Sequence, residues 1–451
     1  MPISFKKTRL TIDRHMLADG MSPIIDLEKS HGSWLYDGAT GREYLDLFSM
    51  YASMSIGYNH PYVLDNIDRL TKAAVNKPAN SDIYSPAMAE FVDTVGRVAQ
   101  PLYLPHSFFI EGGGLAVENA LKVAFDWKAK TNMKKGIKSP ANLVIHLKDC
   151  FHGRTGYTMS LTDSPDPRKV QHFPKFDWPR VINPSIKFPI NEKSIKDVVS
   201  LEDRSISQIK QVLIENPYDV ACMILEPIQG EGGDNHFRPE YFKKLKQLSL
   251  ENDFLLIYDE VQTGIGITGK MWAHQHFCEI NCRLDCISHC QSMEPDVISF
   301  GKKTQCCGIF AGNRINEVDN HVFKESSRIN STFGGNLIDM VRFTIYLELI
   351  EKENLIEKAA ENGAYLLSQL LEVQNSSQGL VSNSRGSGLF CAYDLPTPGH
   401  RDQLIQNMEK EGAIILGCGH SSVRFRPHLN ISKDEIDQAI CMMKNSLASL
   451  Q

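Results

Sequence analysis

The sequence predicts an α/β protein with a mostly parallel central sheet, helices on both faces, and a smaller α+β unit at its C-terminal end. Short apolar runs alternate with helical patterns through the middle of the chain, and the texture changes near Leu337. Such alternation implies crossovers between parallel strands, with helices covering both faces of the sheet. The 451 residues allow one large or two to three ordinary domains. With 42% hydrophobic and 23% charged side chains, the chain has the composition of a folded protein rather than a disordered one.

Residues 1–60 read as a strand-containing arm. Within Gly32–Asp46, Trp34 and Tyr36, then Asp37-Gly38, then Tyr44 and Leu45 have the spacing of a hairpin. A large α/β domain is expected over 61–336. Its buried strands are the apolar runs Ser107–Ile110, Leu143–Leu147, Ala221–Leu225, Phe254–Tyr258 and Val297–Phe300. Between the first two, Val117, Ala120, Leu121, Ala124 and Phe125 recur at the spacing of one helix face. The smaller unit, 337–451, opens with helical patterns over Asp339–Glu353 and Glu357–Leu371. A strand-like Gly388–Tyr393, a helix and the short strand Ser422–Arg426 follow.

Charge and targeting narrow the function. Forty-eight basic against fifty-four acidic side chains give a net charge of −6, so no general positive field draws in nucleic acid or an anionic membrane. No run approaches the ~18 apolar residues of a membrane-spanning helix. Lys6, Lys7 and Arg9 have no apolar stretch behind them, and Asp13 and Asp19 do not suit a transit peptide. Eleven cysteines without a secretion signal suit reduced thiols in the cytoplasm. Small-molecule chemistry is the class that remains.

Several residues have the character such chemistry needs. Ser107–Ile110 runs into Glu111-Gly112-Gly113-Gly114, where glycines opening a helix bare backbone N–H groups to an anion such as a phosphate; a tight turn would use the same glycines. The run Asp253–Tyr258 ends in Asp259-Glu260. A carboxylate buried at a strand end needs a partner, and a protonated ring nitrogen, an arginine or a metal would each serve. Gly264–Lys270 fits G-x-x-x-x-G-K, but Met271 stands where a P-loop needs a hydroxyl, and the strand ends several residues too early. Lys302-Lys303 follows Val297–Phe300 and Gly301; one of the pair, half-desolvated, would attack a carbonyl as its neutral amine. Phe151-His152-Gly153-Arg154 offers an aromatic pair and a guanidinium. Arg424 and Arg426 alternate on the last strand, one expected to face a crevice and the other to point away.

In this order, a phosphate cradle, an aromatic platform, a strand-end aspartate and a strand-end lysine meet the needs of pyridoxal 5′-phosphate. They sit within the strings Glu111-Gly-Gly-Gly-Leu-Ala-Val-Glu-Asn-Ala-Leu-Lys122, Phe151-His-Gly-Arg-Thr-Gly-Tyr157, Phe173-Pro-Lys-Phe-Asp-Trp178 and Glu226-Pro-Ile-Gln-Gly-Glu-Gly-Gly233. Asp259-Glu-Val-Gln-Thr-Gly264, Phe300-Gly-Lys-Lys-Thr-Gln305 and Ser331-Thr-Phe-Gly-Gly-Asn336 complete the set. From about His15 to the last helix, the chain resembles the class III pyridoxal phosphate-dependent aminotransferases of fold type I, the aspartate aminotransferase-like fold. It is similar above all to members acting on the terminal amine of L-lysine.

The resemblance implies roles. Lys302 would carry the cofactor as a Schiff base and then act as general base, leaving Lys303 structural. Asp259 would keep the pyridine nitrogen protonated, Gln262 would lie near the phenolic oxygen, and Phe151 would stack on the ring. His152 would be a supporting wall, and Glu226 belongs to the same cofactor-binding set. The N–H groups of Gly113 and Gly114 would hold the phosphate, joined by Thr332 of the partner subunit, so a homodimer is expected. Arg154 would grip the distant carboxylate of an ω-amine donor, and Arg424 the near carboxylate of 2-oxoglutarate. Glu231 would neutralise Arg424 while the donor is bound and swing away for the acceptor. The reaction implied is L-lysine plus 2-oxoglutarate giving 2-aminoadipate 6-semialdehyde and L-glutamate. An ornithine or 4-aminobutyrate donor, or a non-catalytic dimeric scaffold, are the rivals.

One departure from the family pattern lies at 281–293, between His276–Ile280 and Glu294-Pro-Asp296. Cys278, Cys282, Cys286 and Cys290, with His289 among them, form C-x3-C-x3-C-x3-C. That spacing is not a standard zinc knuckle, and a four-residue step is also what one helix face gives, so no metal is expected.

Overall fold

A computed structural model of the protein describes residues 3–277 and 293–450. The cysteines Cys278, Cys282, Cys286 and Cys290, His289, and the inserted segment through 292 lie outside the described residues.

Near the N-terminus, β1 (Trp34–Tyr36) and β2 (Glu43–Asp46) form the expected antiparallel hairpin around Asp37-Gly38. The core of the molecule is a seven-stranded sheet. Its strands are β3 (His106–Ile110), β4 (Leu143–Leu147), β5 (Arg180–Val181), β6 (Val220–Leu225), β9 (Leu255–Asp259), β10 (Val297–Phe300) and β11 (Cys307–Ala311). A short ribbon, β7 (Ile228–Gln229) with β8 (Asn235–His236), lies between β6 and β9 in the chain. The sheet order is β3-β11-β10-β9-β6-β4-β5, with β11 antiparallel to both neighbours and the other pairs parallel.

Both faces of this sheet are covered, so its strands are unbroken apolar runs rather than alternating ones. Met223 and Leu225 join one core with Tyr241, Phe242 and Leu245 of the helix Pro239–Glu251. Cys222 and Ile224 join another with Ala120, Leu121 and Ala124 of the helix Gly113–Lys134. Leu256 and Tyr258 divide from Leu255 and Ile257 in the same way. β11 and the two-residue β5 are the strands of this sheet that the pattern did not predict; β11 is the informative one. Only Gly301 to Cys306 separate it from β10, too short for a crossover, so it must return antiparallel.

The C-terminal region holds the helices Leu337–Lys352, Leu355–Ser376, Pro398–Glu411 and Lys433–Ala448. They accompany an antiparallel sheet of β12 (Ser382–Ser387), β13 (Phe390–Asp394), β15 (Leu416–Cys418) and β16 (Ser422–Phe425), in the order β12-β13-β16-β15. Strand β14 (Ala413–Ile414) pairs in parallel with β2, so the N-terminal hairpin and the C-terminal region share a three-stranded sheet. No described helix is long and apolar enough to cross a membrane.

Candidate active site

In an open parallel sheet, ligands gather beyond the carboxyl ends of the strands. Here the segments following β3, β4, β6, β9 and β10 meet there in a cavity of about 570 Å³. They bring Gly113 and Gly114, Phe151 to Arg154, Glu226, Asp259 with Gln262, and Lys302 to one place; Glu231, Lys169, Tyr51 and Arg424 also line it.

At one end the chain turns at Gly112, whose φ of 93° lies in the left-handed region that glycine adopts without strain. The 22-residue helix Gly113–Lys134 begins directly after it. A Cβ on Gly113 would come within 3.2 Å of Val261, and one on Gly114 within 3.3 Å of Thr155. Glycine therefore lets neighbouring segments close in while the first N–H groups of the helix stay bare toward the cavity, an arrangement that suits an anion.

Asp259, the last residue of β9, is almost wholly buried. Its Oδ2 lies 2.8 Å from His152 Nδ1, and its Oδ1 accepts from Val261 N–H at 3.1 Å. Burial disfavours charge on His152, but Cys150 and Asp259 outweigh it and hold the imidazolium well above the ordinary histidine range. Glu226 accepts from the N–H groups of Phe151 (2.9 Å) and Gly230 (3.0 Å), fixing two loops against each other. Burial pushes its carboxyl up to about 7. The neighbouring Glu260 faces away from the cavity, where His274 and Ala273 donate to it. The Gln262 carboxamide oxygen accepts from Arg426 Nε at 3.0 Å, leaving its NH2 as the end free to donate.

The two lysines part company. Lys303 is buried, its Nζ donating to the carbonyls of Gln262 (2.7 Å) and Ala52 (3.3 Å). Lys302 lines the cavity with φ at 55°, and its amine donates to the Tyr51 carbonyl at 3.1 Å. Burial, then the positive charge of Arg424, lowers its amine from the ordinary lysine value to about 8. The Tyr51 and Ala52 carbonyls, one for each lysine, belong to a left-handed turn, Ser49–Ala52, in which all four residues have positive φ.

At the other end Arg424, only 5% exposed, donates through Nη2 to Glu231 Oε2 at 3.1 Å. Its Nε and Nη1 have no hydrogen-bond partner among the described residues. A buried guanidinium with idle donors on a cavity is suited to a bidentate carboxylate. Arg154 is exposed on the same cavity. Of the two arginines, Arg424 lines the cavity and Arg426, one residue past β16, does not; the Arg426 guanidinium is buried against Asp234 and Gln262.

Most of the residues singled out in the sequence thus stand around one cavity. Thr332 does not: it is exposed, and its carbonyl accepts from Ser81 Oγ. The P-loop-like Gly264–Lys270 opens no helix and stays off the cavity wall. Tyr51, Lys169 and Val261 reach the cavity without a signal in the sequence beyond, for Val261, its place in the Asp259–Gly264 string.

A family model described as aminotransferase class-III matches residues 16–447. An L-lysine-epsilon aminotransferase of Mycobacterium tuberculosis is 47% identical over 99% of this chain and 96% of its own length. One of Amycolatopsis lactamdurans is 44% identical over 98% and 96%. Human mitochondrial 4-aminobutyrate aminotransferase is 31% identical over 91% and 82%. Among solved structures, lysine aminotransferase from M. tuberculosis in the internal aldimine form superposes with a TM-score of 0.93 at 46% identity, each chain covered in full.

Proposed function

The chain belongs to the class III aminotransferases, with their pyridoxal phosphate fold type I, and from that premise we propose that it moves the 6-amino group of L-lysine to 2-oxoglutarate. The products are 2-aminoadipate 6-semialdehyde and L-glutamate. The observation that carries this reading is Arg424. It is buried on the cavity with two idle N–H groups and one partner, Glu231, that an incoming carboxylate can displace.

The residues present fit the cofactor. The bare N–H groups at Gly113 and Gly114 would take its phosphate and Phe151 would lie against its ring. Asp259, with His152 behind it, would pair with the ring nitrogen, and Lys302 would hold it covalently. When bound, pyridoxal phosphate supplies the electron sink for bond-breaking at the carbon that carries the amine. The protein's own groups do the rest. Lys302 Nζ, with its lowered pKa, takes the proton from that carbon as a general base. Glu226 holds the Phe151 loop in place through its two backbone bonds. Gln262 NH2 would donate to the phenolic oxygen.

The lysine donor presents no carboxylate beside its reacting amine, so Arg424 must be masked, and Glu231 masks it. Arg154 would take the donor's remote carboxylate. The acceptor reverses the demand: its carboxylate beside the keto carbon needs Arg424 free. The greater identity to lysine than to 4-aminobutyrate enzymes favours lysine as donor. The exposure of Thr332 suits service to a neighbour's phosphate, which makes a homodimer the smallest active unit. The seven described cysteines are unpaired, in keeping with a cytoplasmic protein.

Donor profiling tests the assignment. L-lysine, L-ornithine and 4-aminobutyrate are each offered with 2-oxoglutarate, and glutamate is measured; lysine is expected to have the highest kcat/KM. A higher value for ornithine or 4-aminobutyrate would reassign the donor, and no glutamate from any of them would favour the scaffold rival.

A further inference from the structure

We infer that Lys169 is a positioning residue for the Glu231–Arg424 switch, a second cation on which Glu231 rests when Arg424 turns to the acceptor. The inference builds on the reading of Arg424 as the acceptor's anchor. Glu231 divides its oxygens between two cations: Oε2 accepts from Arg424 Nη2 at 3.1 Å, and Oε1 accepts from Lys169 Nζ at 2.5 Å. Lys169 and Glu231 are largely withdrawn from water, with side-chain exposures of 18% and 24%. Burial would raise the carboxyl of Glu231, but Arg424 and Lys169 outweigh it and hold it below the ordinary carboxylate range.

The consequence follows from what exchange costs. An acceptor carboxylate arriving at Arg424 competes with Glu231 for the guanidinium. If Arg424 were its only partner, a displaced Glu231 would be left as a mostly buried, unpaired charge, which is strongly disfavoured. With Lys169 in place it keeps one charge-assisted hydrogen bond throughout. An ammonium on a flexible stem, with three donors and no fixed plane, can follow a carboxylate that moves; a fork-shaped guanidinium is less able to. Lys169 is also anchored for this task. It ends the short turn Pro167–Lys169, capped by Asp166 accepting from Arg168 N–H at 3.1 Å, and its Nζ stands 5.7 Å from the centre of the Phe151 ring. It therefore sets how readily Arg424 is unmasked, and with it the balance between donor and acceptor.

The test uses the holoenzyme in five forms: wild type, Lys169→Met, Lys169→Arg, Glu231→Ala, and Lys169→Met with Glu231→Ala. Two readouts are taken. One is the dissociation constant of glutarate, an unreactive dicarboxylate of the acceptor's length; the other is the half-saturation of each half-reaction in single turnovers. Lys169→Met is expected to weaken glutarate and 2-oxoglutarate by about tenfold and L-lysine by less than about twofold. Lys169→Arg should restore most of the loss, and in the Glu231→Ala background Lys169→Met should change neither. Equal losses for donor and acceptor, or a tenfold loss that persists without Glu231, would overturn the role of Lys169. Unchanged discrimination in Glu231→Ala alone would instead overturn the switch on which it rests.

Discussion

The two ends of the cavity are built on opposite rules. Around Asp259 and Glu226 each functional side chain has a tie to the scaffold: Asp259 to His152 and the Val261 N–H, Glu226 to two backbone N–H groups, Gln262 to Arg426. Around Arg424 the ties are loose, with two donors idle and a single partner shared with Lys169. In the proposed reaction the fixed end would serve one cofactor that never changes. The loose end would have to accept two ligands of unlike charge in turn, which calls for exchangeable ion pairs. Preorganisation and exchangeability thus coexist within one pocket.

Substitutions at the fixed end should damage both half-reactions alike. The largest effect is expected from Lys302→Ala, a fall in turnover of about ten-thousandfold or more, with no covalent capture of pyridoxal phosphate in the absorption spectrum. Lys303→Met should keep that capture but lower the melting temperature, since two buried carbonyls lose their donor at about 1–3 kcal/mol. A spectrum lost in Lys303→Met and kept in Lys302→Ala would reverse the assignment of the pair. Next comes Asp259→Asn, expected to slow donor and acceptor turnover equally by about a hundredfold to ten-thousandfold in stopped-flow traces.

At the loose end the damage should be lopsided. Arg424→Met is expected to raise the half-saturation of 2-oxoglutarate by about a hundredfold while L-lysine shifts far less, and equal shifts would erase the distinction between the two ends. The smallest effect is one of pH. With the Lys302 amine lowered to about 8, capture of pyridoxal phosphate by the cofactor-free protein should rise with pH through a midpoint near 8. The sign for stability agrees: between about 8 and the ordinary 10.5 the unfolded chain binds the extra proton, so Lys302 makes the folded state gain as pH rises. Arg424→Met removes a nearby positive charge and should move the midpoint upward.

The fixed end was also the more legible in the sequence. Asp259, Glu226, Gly113 and Lys302 sit at or just beyond strand ends, and the apolar runs that mark those strands lie within a residue or two of the observed elements. Chemistry attached to a strand end is written contiguously. The loose end is written across the chain: Lys169 means nothing until it meets Glu231, 62 positions on, and Glu231 until it meets Arg424, 193 positions further. Isolated lysines on polar loops give no periodic signal. β11 escaped for another reason: it follows β10 after only Gly301–Cys306, with a single 3-10 turn, Lys302–Thr304, in place of a crossover helix, and Gly308 breaks its apolar run. The left-handed turn Ser49–Ala52 had no glycine to announce it.

In the proposed reaction one cavity performs both halves of a lysine 6-aminotransfer from Lys302. That proposal is tested most directly by the absorption spectrum of the pyridoxal phosphate-loaded protein, followed as L-lysine and then 2-oxoglutarate are added beside Lys302→Ala. The account predicts a band from the lysine-bound cofactor that bleaches with L-lysine, returns with 2-oxoglutarate, and is absent from the variant. A folded, loaded protein whose band ignores L-lysine would contradict it.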